Sequence, residues 1–436
     1  MFYYNARYAF KLPNQVSGPV SGGVIAASAL HAHTLLRRRF HRYPYLQHRL
    51  FDPQLYMAEL SSTRASGTVA KLATYPWFSG ATVPAYDSSI HGRQSDWAAT
   101  HRDALLAGWP GAPPRGTAVY PAVRDCVQFQ DELGTEAIIL PSPLTRSANS
   151  TYAQEIEWVD AGVLACDELN IRKPLYATVA LADVVLRGLR ADANPLIHLI
   201  TDQVTSRPIA GVYLVVEQGS EDGYCCGDPS TLESVLTIVD DCVRGANLRV
   251  IVNYASAFGA VAAAAGADIW SSGYYLSQRR LRLSDAEQEE GEIKFAFPRF
   301  YSLQLAGDLG IKNDLVRVRN AGMLSRVFTR TRASLPLRLA LDAGQTPDDV
   351  PEWAYTQSNR QAASAHYVDA MAKWGAFLEA CAPDARVYSV NQWLTNAARL
   401  ADDLRGVGLI PSRASDLSHQ QTWLEVFSDW RTRSGR

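Results

Sequence analysis

The chain has 436 residues, of which 47% are hydrophobic and 20% are charged, and its formal net charge is −2. A chain of this length can bury a large core, and it fits one barrel-sized domain with additions better than three small domains. Its longest apolar runs, residues 175–181 and 258–265, are far shorter than the roughly 20 residues that cross a bilayer, so we expect no membrane partner. The N-terminus lacks the basic region, apolar core and cleavage site of a secretory signal, which predicts a cytoplasmic protein.

The first 51 residues contain the strongest charge asymmetry. They hold seven Lys and Arg residues and no Asp or Glu, which leaves −9 on the remainder. Residues 22–42, GGVIAASALHAHTLLRRRFHR, predict a helix, because apolar residues recur at spacings of four, three and four and arginines near the C-terminus complement the helix dipole. We therefore expect residues 1–49 to form a basic N-terminal segment ahead of the main domain.

From residue 117 onward, predicted helices alternate with short β-branched runs. Five helical segments, at 118–133, 153–169, 194–204, 231–243 and 258–265, precede the runs AIILPSP, PLYATVAL, GVYLVVEQ, RVIVNYAS and DIWSSG. This alternation indicates βα units and a parallel sheet that is buried on both faces. With LFDPQLY at residues 50–56 in front and KFAFPRFY at residues 294–301 behind, about seven strands are predicted, close to the eight of a (β/α)8 barrel.

The predicted fold is therefore α/β, a (β/α)8 TIM-like barrel over residues 50–345. The basic segment lies before it and a C-terminal helical segment, residues 346–436, follows, with helices expected at 359–380, 391–405 and 419–432. A doubly wound open sheet is the alternative. It is disfavoured because no strand is followed by a GxGxxG turn or by GxxxxGK[ST].

Polar residues follow several predicted strands, and the chemistry of barrels lies at the carboxyl ends of strands. Asp52 and Glu217 are the acid–base candidates, since a carboxylate that ends an apolar strand is costly to bury without a partner. The structural alternatives are a turn opener for Asp52 and an ion pair for Glu217. Further candidates for substrate binding are Gln54, Asp183, Gln218, Asn253, Tyr254, Ser271, Ser272, Gly273 and Tyr274.

Two of these candidates have specific expected roles. Asn253, within VIVNYAS, needs hydrogen bonds and is either a core amide or a ligand contact. Ser271 and Ser272, with the backbone of Gly273, can bind an anionic group, although a serine-rich turn would have the same composition.

We expect neither a metal nor another cofactor. The nine histidines show no metal-ligand spacing beyond His31 and His33, and the six cysteines lack CxxC spacing, which indicates reduced thiols. A redox role stays open for the adjacent Cys225 and Cys226. Because a GxSxG nucleophile elbow is also absent, acid–base chemistry by carboxylates is favoured over an α/β-hydrolase mechanism.

Three local patterns resemble the tRNA-guanine transglycosylase superfamily of barrels, over residues 50–280. FGAVAAAAGADIWSSGYYLSQRR is similar to a small-residue helix followed by G(C/A)D(L/I)FDS, GVYLVVEQ to the strand GGLAVGE, and LFDPQLY to a strand ending DSG(G/A)(F/Y). The resemblance implies a barrel that acts on or binds a nucleobase, nucleotide or nucleic acid. It also implies that Asp52 is the general base and that Glu217 is the strand-end Glu.

The chain departs from the family pattern at three places. The nucleophilic Asp of the family corresponds to Ser271, and a serine without an adjacent base is a poor replacement for a carboxylate. The zinc-binding CxCxxC segment is absent, and AIILPSP lacks the Asp that would read a guanine-like base. Three functions stay open: a divergent transglycosylase-like transferase or binding protein, a non-catalytic barrel subunit of a larger assembly, and a small-molecule lyase or isomerase that uses the same carboxylates.

The segment RRRFHRYPYLQHR, residues 37–49, interleaves arginines with aromatic residues. Such a pattern supplies both phosphate contacts and stacking surfaces for RNA or DNA. The alternative is that these arginines pair with the acidic remainder of the chain or with another protein subunit. The predicted nucleic-acid contacts are Arg37, Arg38, Arg39, Arg42 and Arg49.

Overall fold

Eight parallel strands form the central sheet of the protein. The computed structural model describes residues 1–6, 16–38, 48–78, 94–219, 225–287, 298–356, 359–409 and 417–436. The strands are β1 Phe2–Ala6, β2 Gly22–Ala26, β3 His48–Asp52, β4 Ile138–Leu140, β5 Leu175–Leu181, β6 Gly211–Val216, β7 Arg249–Asn253 and β8 Ile269–Ser272.

The sheet curves into a nearly closed barrel. Its strand order is β3-β2-β1-β8-β7-β6-β5-β4, so β1 pairs with β8 and only β3 and β4 lie at the edges. These two edges approach each other, because the backbone N–H of Glu136, just before β4, donates to the carbonyl of Arg49 in β3 at 3.1 Å. The predicted (β/α)8 barrel is therefore confirmed.

Helices surround the barrel and alternate with its later strands. Within the described residues, no helix has the length and the apolar character that a bilayer span requires. The helices are α1 Ala32–Arg38, α2 Ser66–Leu72, α3 Gln94–Thr100, α4 Arg102–Ala107, α5 Val119–Leu133, α6 Ala153–Glu168, α7 Pro195–Thr205, α8 Pro229–Asp240, α9 Gly259–Ala265, α10 Leu276–Arg279, α11 Leu283–Ala286, α12 Val316–Asn320, α13 Leu324–Val327, α14 Leu335–Asp342, α15 Gln361–Ala380, α16 Pro383–Gly406 and α17 His419–Ser434.

The helix predicted for residues 22–42 is wrong over its first part. Gly22–Ala26 forms β2, which pairs with β1 on one side and with β3 on the other. A Cβ atom on Gly22 would lie 2.7 Å from the carbonyl of His48 and from the ring of Tyr3, so glycine permits the close approach of these strands. The barrel thus begins at Phe2 rather than at residue 50, and residues 1–49 contribute two of its strands.

The barrel strand predicted at residues 294–301 is also wrong. Arg299–Ser302 forms β9, which pairs antiparallel with β10, Gly307–Gly310, in a separate two-stranded sheet, while residues 294–297 lie outside the described part of the chain. A buried arginine needs a partner for its charge. The hairpin supplies one, because β10 places Asp308 within 3.8 Å of the Arg299 guanidinium.

The three long C-terminal helices pack around the barrel. Helix α15 contacts β1, and a hydrogen bond of 2.8 Å joins its Tyr367 hydroxyl to that of Ser272 on β8. This is the position that the eighth outer helix of a (β/α)8 barrel occupies. Helices α16 and α17 then pack on α9 and α8, so the predicted C-terminal helical segment includes part of the barrel's own outer layer.

A buried carboxylate attaches α15 to the connection between β1 and β2. Asp369 is fully buried and accepts hydrogen bonds from the backbone N–H groups of Ser17, at 2.7 Å, and Gly18, at 2.6 Å. Its other oxygen accepts from the Ser17 hydroxyl at 3.0 Å. The first barrel connection is therefore held by a residue more than 350 positions later in the chain.

We expect Asp369→Ala to lower the free energy of unfolding by about 2 kcal/mol, because it removes a buried carboxylate that accepts three hydrogen bonds from Ser17 and Gly18. Urea denaturation measures this difference. Asp384→Ala, which removes an exposed carboxylate from the start of α16, is the matched control and should have little effect. Equal stabilities of the two variants would contradict the anchoring role of Asp369.

Candidate functional site

The strand register determines which side chains face the interior of the barrel. Side chains alternate between the two faces of a strand, and paired residues of parallel neighbours share a face. Val215 pairs with Asn253, Tyr3 with Ser271, and Ala26 with Asp52. Asp52, Asn253 and Ser271 consequently point into the barrel near its carboxyl end, where their side chains meet.

Asn253 is the centre of a buried hydrogen-bond network inside the barrel. Its Oδ1 accepts from the Ser271 hydroxyl at 2.7 Å and from Asn5 Nδ2 at 2.9 Å. Its Nδ2 donates to Asp52 Oδ2 at 3.3 Å and to the Tyr213 hydroxyl. We call the connected residues the axial network; its members are Asn5, Asp52, Gln54, Tyr56, Tyr213, Asn253, Tyr254 and Ser271, and all are buried.

Asp52 is the acidic member of the axial network and is fully buried. Its Oδ2 accepts from the Tyr56 hydroxyl at 2.5 Å and from the Tyr254 hydroxyl at 3.4 Å, and its Oδ1 accepts from the Gln54 backbone at 3.1 Å. Burial raises the pKa of Asp52 from 3.8 to about 6, although the hydrogen bonds oppose this change. A carboxyl group with such a pKa can exchange a proton near neutral pH.

The loops after β3 and β7 contain strained backbone next to this network. Gln54, Tyr254 and Ser256 have φ angles of 54°, 56° and 50°, in the left-handed region. Residues other than glycine in this region cost about 1–3 kcal/mol each and cluster at functional sites. The hydrogen bond from Gln54 Nε2 to the Tyr254 hydroxyl, at 2.8 Å, connects the two loops.

A cleft lies beside the axial network, between the ends of β6 and β7 and the first turns of α8. Its cavity has a volume of about 30 Å³, which is enough for ordered water. The side-chain oxygen Oε1 of Gln218, a residue 92% buried, has no hydrogen-bond partner among the described residues. We call this the rim cleft; it is lined by Val216, Gln218, Cys226, Thr231, Leu232, Val235, Val252, Asn253, Tyr254, Ala255, Ser256 and Phe258.

Glu217 and Asp183 lie in a separate, more exposed group of charged residues. Glu217 follows Val215, the partner of Asn253, by two positions, which places it about 7 Å further out along the barrel. Its Oε1 accepts from the Leu283 backbone at 3.2 Å, and burial raises its pKa. Asp183 forms an ion pair with Arg187 at 2.7 Å. The two predicted acid–base residues, Asp52 and Glu217, therefore belong to different groups at the same end of the barrel.

Ser271 and Ser272 do not form one anion site, because successive residues of a strand face opposite sides. Ser272 points outward and bonds to Tyr367. A Cβ atom on Gly273 would lie 2.4 Å from Gln278 Oε1, so this glycine is needed for local packing. The Tyr274 hydroxyl accepts from the Arg299 backbone at 3.0 Å, which indicates a structural role.

The predicted basic contacts are not gathered at this site. Arg49 is the second residue of β3, about 10 Å from Asp52 towards the amino end of the barrel. Arg37 and Arg38 end α1, and Arg39 and Arg42 lie outside the described residues. Within those residues, no group of three or more His, Cys, Asp or Glu side chains is arranged to hold a metal ion.

Three members of the axial network were missed by sequence reasoning. Asn5 ends the apolar run FYYN much as Asn253 ends RVIVN, so the same rule for amides at strand ends would have identified it. Tyr213 lies inside GVYLVV and Tyr56 beyond β3. Their hydroxyl groups reach Asn253 and Asp52 only when the strands pair, and no local sequence pattern predicts these contacts.

No model of a known protein family matches the chain, and no curated protein sequence matches it. The resemblance to the tRNA-guanine transglycosylase superfamily therefore remains a prediction.

We expect Asp52 to make the stability of the protein depend on pH. Below about pH 4 both the folded and the unfolded states hold its proton, whereas above about pH 6 the folded state must bury a charge. The difference between the two pKa values corresponds to about 3 kcal/mol, lost as pH rises through 6. Between pH 4 and 7 the stability of Asp52→Asn should therefore increase relative to wild type by about this amount. Urea denaturation at pH 4 and pH 7 measures this change. If the difference in stability between wild type and Asp52→Asn is the same at both pH values, the raised pKa of Asp52 is contradicted.

Proposed function

We propose that the carboxyl end of the barrel binds a nucleobase or a nucleotide, and that Asp52 exchanges a proton with this ligand. The observation that supports this most directly is the position of Asp52. Its carboxyl group, with a pKa near neutrality, contacts the Tyr254 hydroxyl at 3.4 Å, and Tyr254 also lines the rim cleft. The acidic group and the cleft therefore share a residue.

The lining of the rim cleft suits a planar nitrogen heterocycle. Val216, Leu232 and Phe258 are among its apolar walls, and the amide of Gln218 is among its polar groups. An amide presents a donor and an acceptor side by side, which matches the edge of a nucleobase. Because Gln218 Oε1 has no partner among the described residues, it is available to accept a hydrogen bond from an amino or ring N–H group of the ligand. Few polar groups among apolar walls are typical of small-molecule sites.

The geometry favours general acid–base chemistry by Asp52. At neutral pH a carboxyl group with a pKa of about 6 is largely ionised and can accept a proton. The Tyr254 hydroxyl donates to Asp52 and receives a hydrogen bond from Gln54 Nε2, and Tyr254 is one of the residues that line the cleft. Transfer of the Tyr254 proton to Asp52 would leave the tyrosine oxygen able to take a proton from the ligand.

Covalent glycosyl transfer through Ser271 is not supported. The Ser271 hydroxyl is fully buried and donates to the amide oxygen of Asn253, which is not a base. The resemblance to the transglycosylase superfamily therefore supports the class of ligand more than the covalent step. The same observation favours a second candidate function, a non-catalytic barrel that binds its ligand without turning it over.

A small ligand is preferred to a nucleic-acid polymer because of the charges around the site. Arg49, one of the predicted phosphate contacts, lies towards the opposite end of β3 from Asp52. Near the mouth of the barrel, Arg187 is paired with Asp183 and Arg146 with Glu59. These arginines are therefore already engaged by carboxylates, which reduces their attraction for a phosphate backbone.

We expect Gln218→Ala to weaken ligand binding by about tenfold, since one hydrogen bond to a buried amide is lost. Isothermal titration calorimetry with a panel of nucleobases, nucleosides and nucleotides measures this. Gln128→Ala, which changes an exposed glutamine on α5, is the matched control and should bind as wild type does. If no member of the panel binds, or if binding occurs but both variants match wild type, the proposed site is wrong.

A second prediction distinguishes Asp52 from Glu217 as the group that binds the proton. The affinity of wild type should rise with pH through about 6, as Asp52 loses its proton and becomes an acceptor. Asp52→Asn should abolish this rise, whereas Glu217→Gln should retain it because Glu217 lies outside the axial network. Dissociation constants at pH 5 and 7 decide the matter. Loss of the rise in Glu217→Gln alone would show that Glu217, and not Asp52, binds this proton, and it would contradict the role proposed for Asp52.

A further inference from the structure

Cys225 lies at the mouth of the barrel in contact with two side chains that can activate a thiol. Its Sγ is 3.6 Å from the hydroxyl oxygen of Ser256, in the loop after β7. It is also hydrogen-bonded to His419, the first residue of α17. Helix α17 therefore places the imidazole ring of His419 against Cys225, which lies between β6 and α8.

The orientation of the His419 ring is fixed by a backbone carbonyl. Its Nε2 is 2.9 Å from the carbonyl oxygen of Ala306, in the turn between β9 and β10. A carbonyl oxygen only accepts, so Nε2 bears the hydrogen and Nδ1 is the acceptor in the neutral ring. A nucleophile, a base and a third group that orients the base form the arrangement of activated nucleophiles in many enzymes.

The titratable and charged groups that interact with Cys225 come from several elements. They belong to His419 on α17, Asp308 on β10, Arg279 on α10, Tyr301 on β9 and Tyr367 on α15. Burial alone would raise the pKa of the Cys225 thiol, but the charge and hydrogen bond of His419 and the hydrogen bond of Ser256 outweigh it and lower the pKa.

Other buried thiols of the chain behave in the opposite way. Burial raises the pKa of Cys166 to about 11 and that of Cys242 to about 12. The pKa of Cys126 is also raised by burial. The polar contacts of Cys225 therefore distinguish it from cysteines that only fill the core.

We propose that Cys225 is a nucleophile, activated by His419, that bonds covalently to an uncharged electrophilic carbon compound in the rim cleft. Ser256, which contacts the thiol, and Cys226, its chain neighbour, both line that cleft. Gln218, whose buried Oε1 has no partner among the described residues, lines the same cleft. This inference does not depend on the role proposed for Asp52.

The covalent step conserves atoms and electrons. The Sγ proton passes to Nδ1 of His419, and a sulfur electron pair forms the bond to carbon. The electron pair displaced from that carbon, from a leaving-group bond or a carbonyl π bond, remains on the atom that receives it. His419 can then return its proton to that atom, so no external oxidant or reductant takes part.

An uncharged compound is expected because the surroundings of the thiol supply little net charge to a ligand. The guanidinium of Arg279, a cation that interacts with the thiol, is held by both carboxylate oxygens of Asp308, and both side chains are almost fully buried. The walls of the rim cleft are mainly apolar. A carboxylate or phosphate placed at the thiol itself would lose hydration, and the described residues that line the cleft include no Lys or Arg to pair with it.

Alkylation with iodoacetamide at pH 6 to 9, followed by peptide mass spectrometry, tests the proposal. Cys225 should react faster than the partly exposed Cys381, and it should react faster with uncharged iodoacetamide than with iodoacetate. His419→Gln can keep a donor to the Ala306 carbonyl but removes the basic Nδ1, so it should slow alkylation at pH 7 by about tenfold for each unit that the thiol pKa rises. The unfolding midpoint of this variant shows whether it remains folded.

Thiolate absorbance at 240 nm provides a readout that does not depend on access to the thiol. The difference between wild type and Cys225→Ser should show a titration below the ordinary cysteine pKa of about 8.5, and His419→Gln should move it upward. A titration at or above the ordinary value, or one that His419→Gln leaves unchanged, overturns the activation of Cys225. A low titration without preferential alkylation of Cys225 overturns its role as a nucleophile.

Discussion

The amide of Asn253 holds the carboxyl end of the barrel together. A polar group inside a barrel has no water to bond with, so it is stable only if protein groups satisfy it. Asn253 receives hydrogen bonds from β1 and β8 and donates to β3 and β6. These contacts fix four other strands relative to β7, and they also determine the environment of Asp52. The raised pKa of Asp52 is the energetic consequence of placing a carboxylate in this interior.

Buried polar atoms that lack a hydrogen-bond partner are as informative as those that have one. Within the described residues, Asn253 uses both its oxygen and its nitrogen, whereas Gln218 Oε1 has no partner although the residue is 92% buried. Polar atoms left without partners in a buried position are costly, and a ligand or a water can supply the missing bond. The rim cleft is therefore one place where a new hydrogen bond can form, and Asn5 Oδ1 inside the barrel is another buried atom without a partner among the described residues.

The regular part of the fold was predictable, and its closure was not. The alternation of helices and β-branched runs after residue 117 predicted five βα units, and the structure contains strands in all five runs. GGVIA was missed because its apolar residues continue the helical spacing of the segment that follows, and only pairing with β1 and β3 makes it a strand. FAFPRFY was assigned to the barrel on composition alone, but Arg299–Ser302 forms a hairpin in which Arg299 pairs with Asp308.

Within the candidate site, the rule that polar residues follow strands identified Asp52, Asn253 and Ser271. It could not separate them from Glu217, whose side chain belongs to another group.

The loop after β7 explains how two kinds of chemistry can reach one cleft. Tyr254 and Ser256 are two residues apart and both have left-handed backbone conformations. Tyr254 contacts the carboxylate of Asp52, whereas Ser256 contacts the thiol of Cys225. Both residues line the rim cleft, so the roles proposed for Asp52 and for Cys225 concern the same cleft. Neither contact requires a carboxylate at position 271. The serine at that position can serve the axial network, because the reactive groups that we propose lie elsewhere: Asp52 at the end of β3, Cys225 between β6 and α8, and His419 at the start of α17.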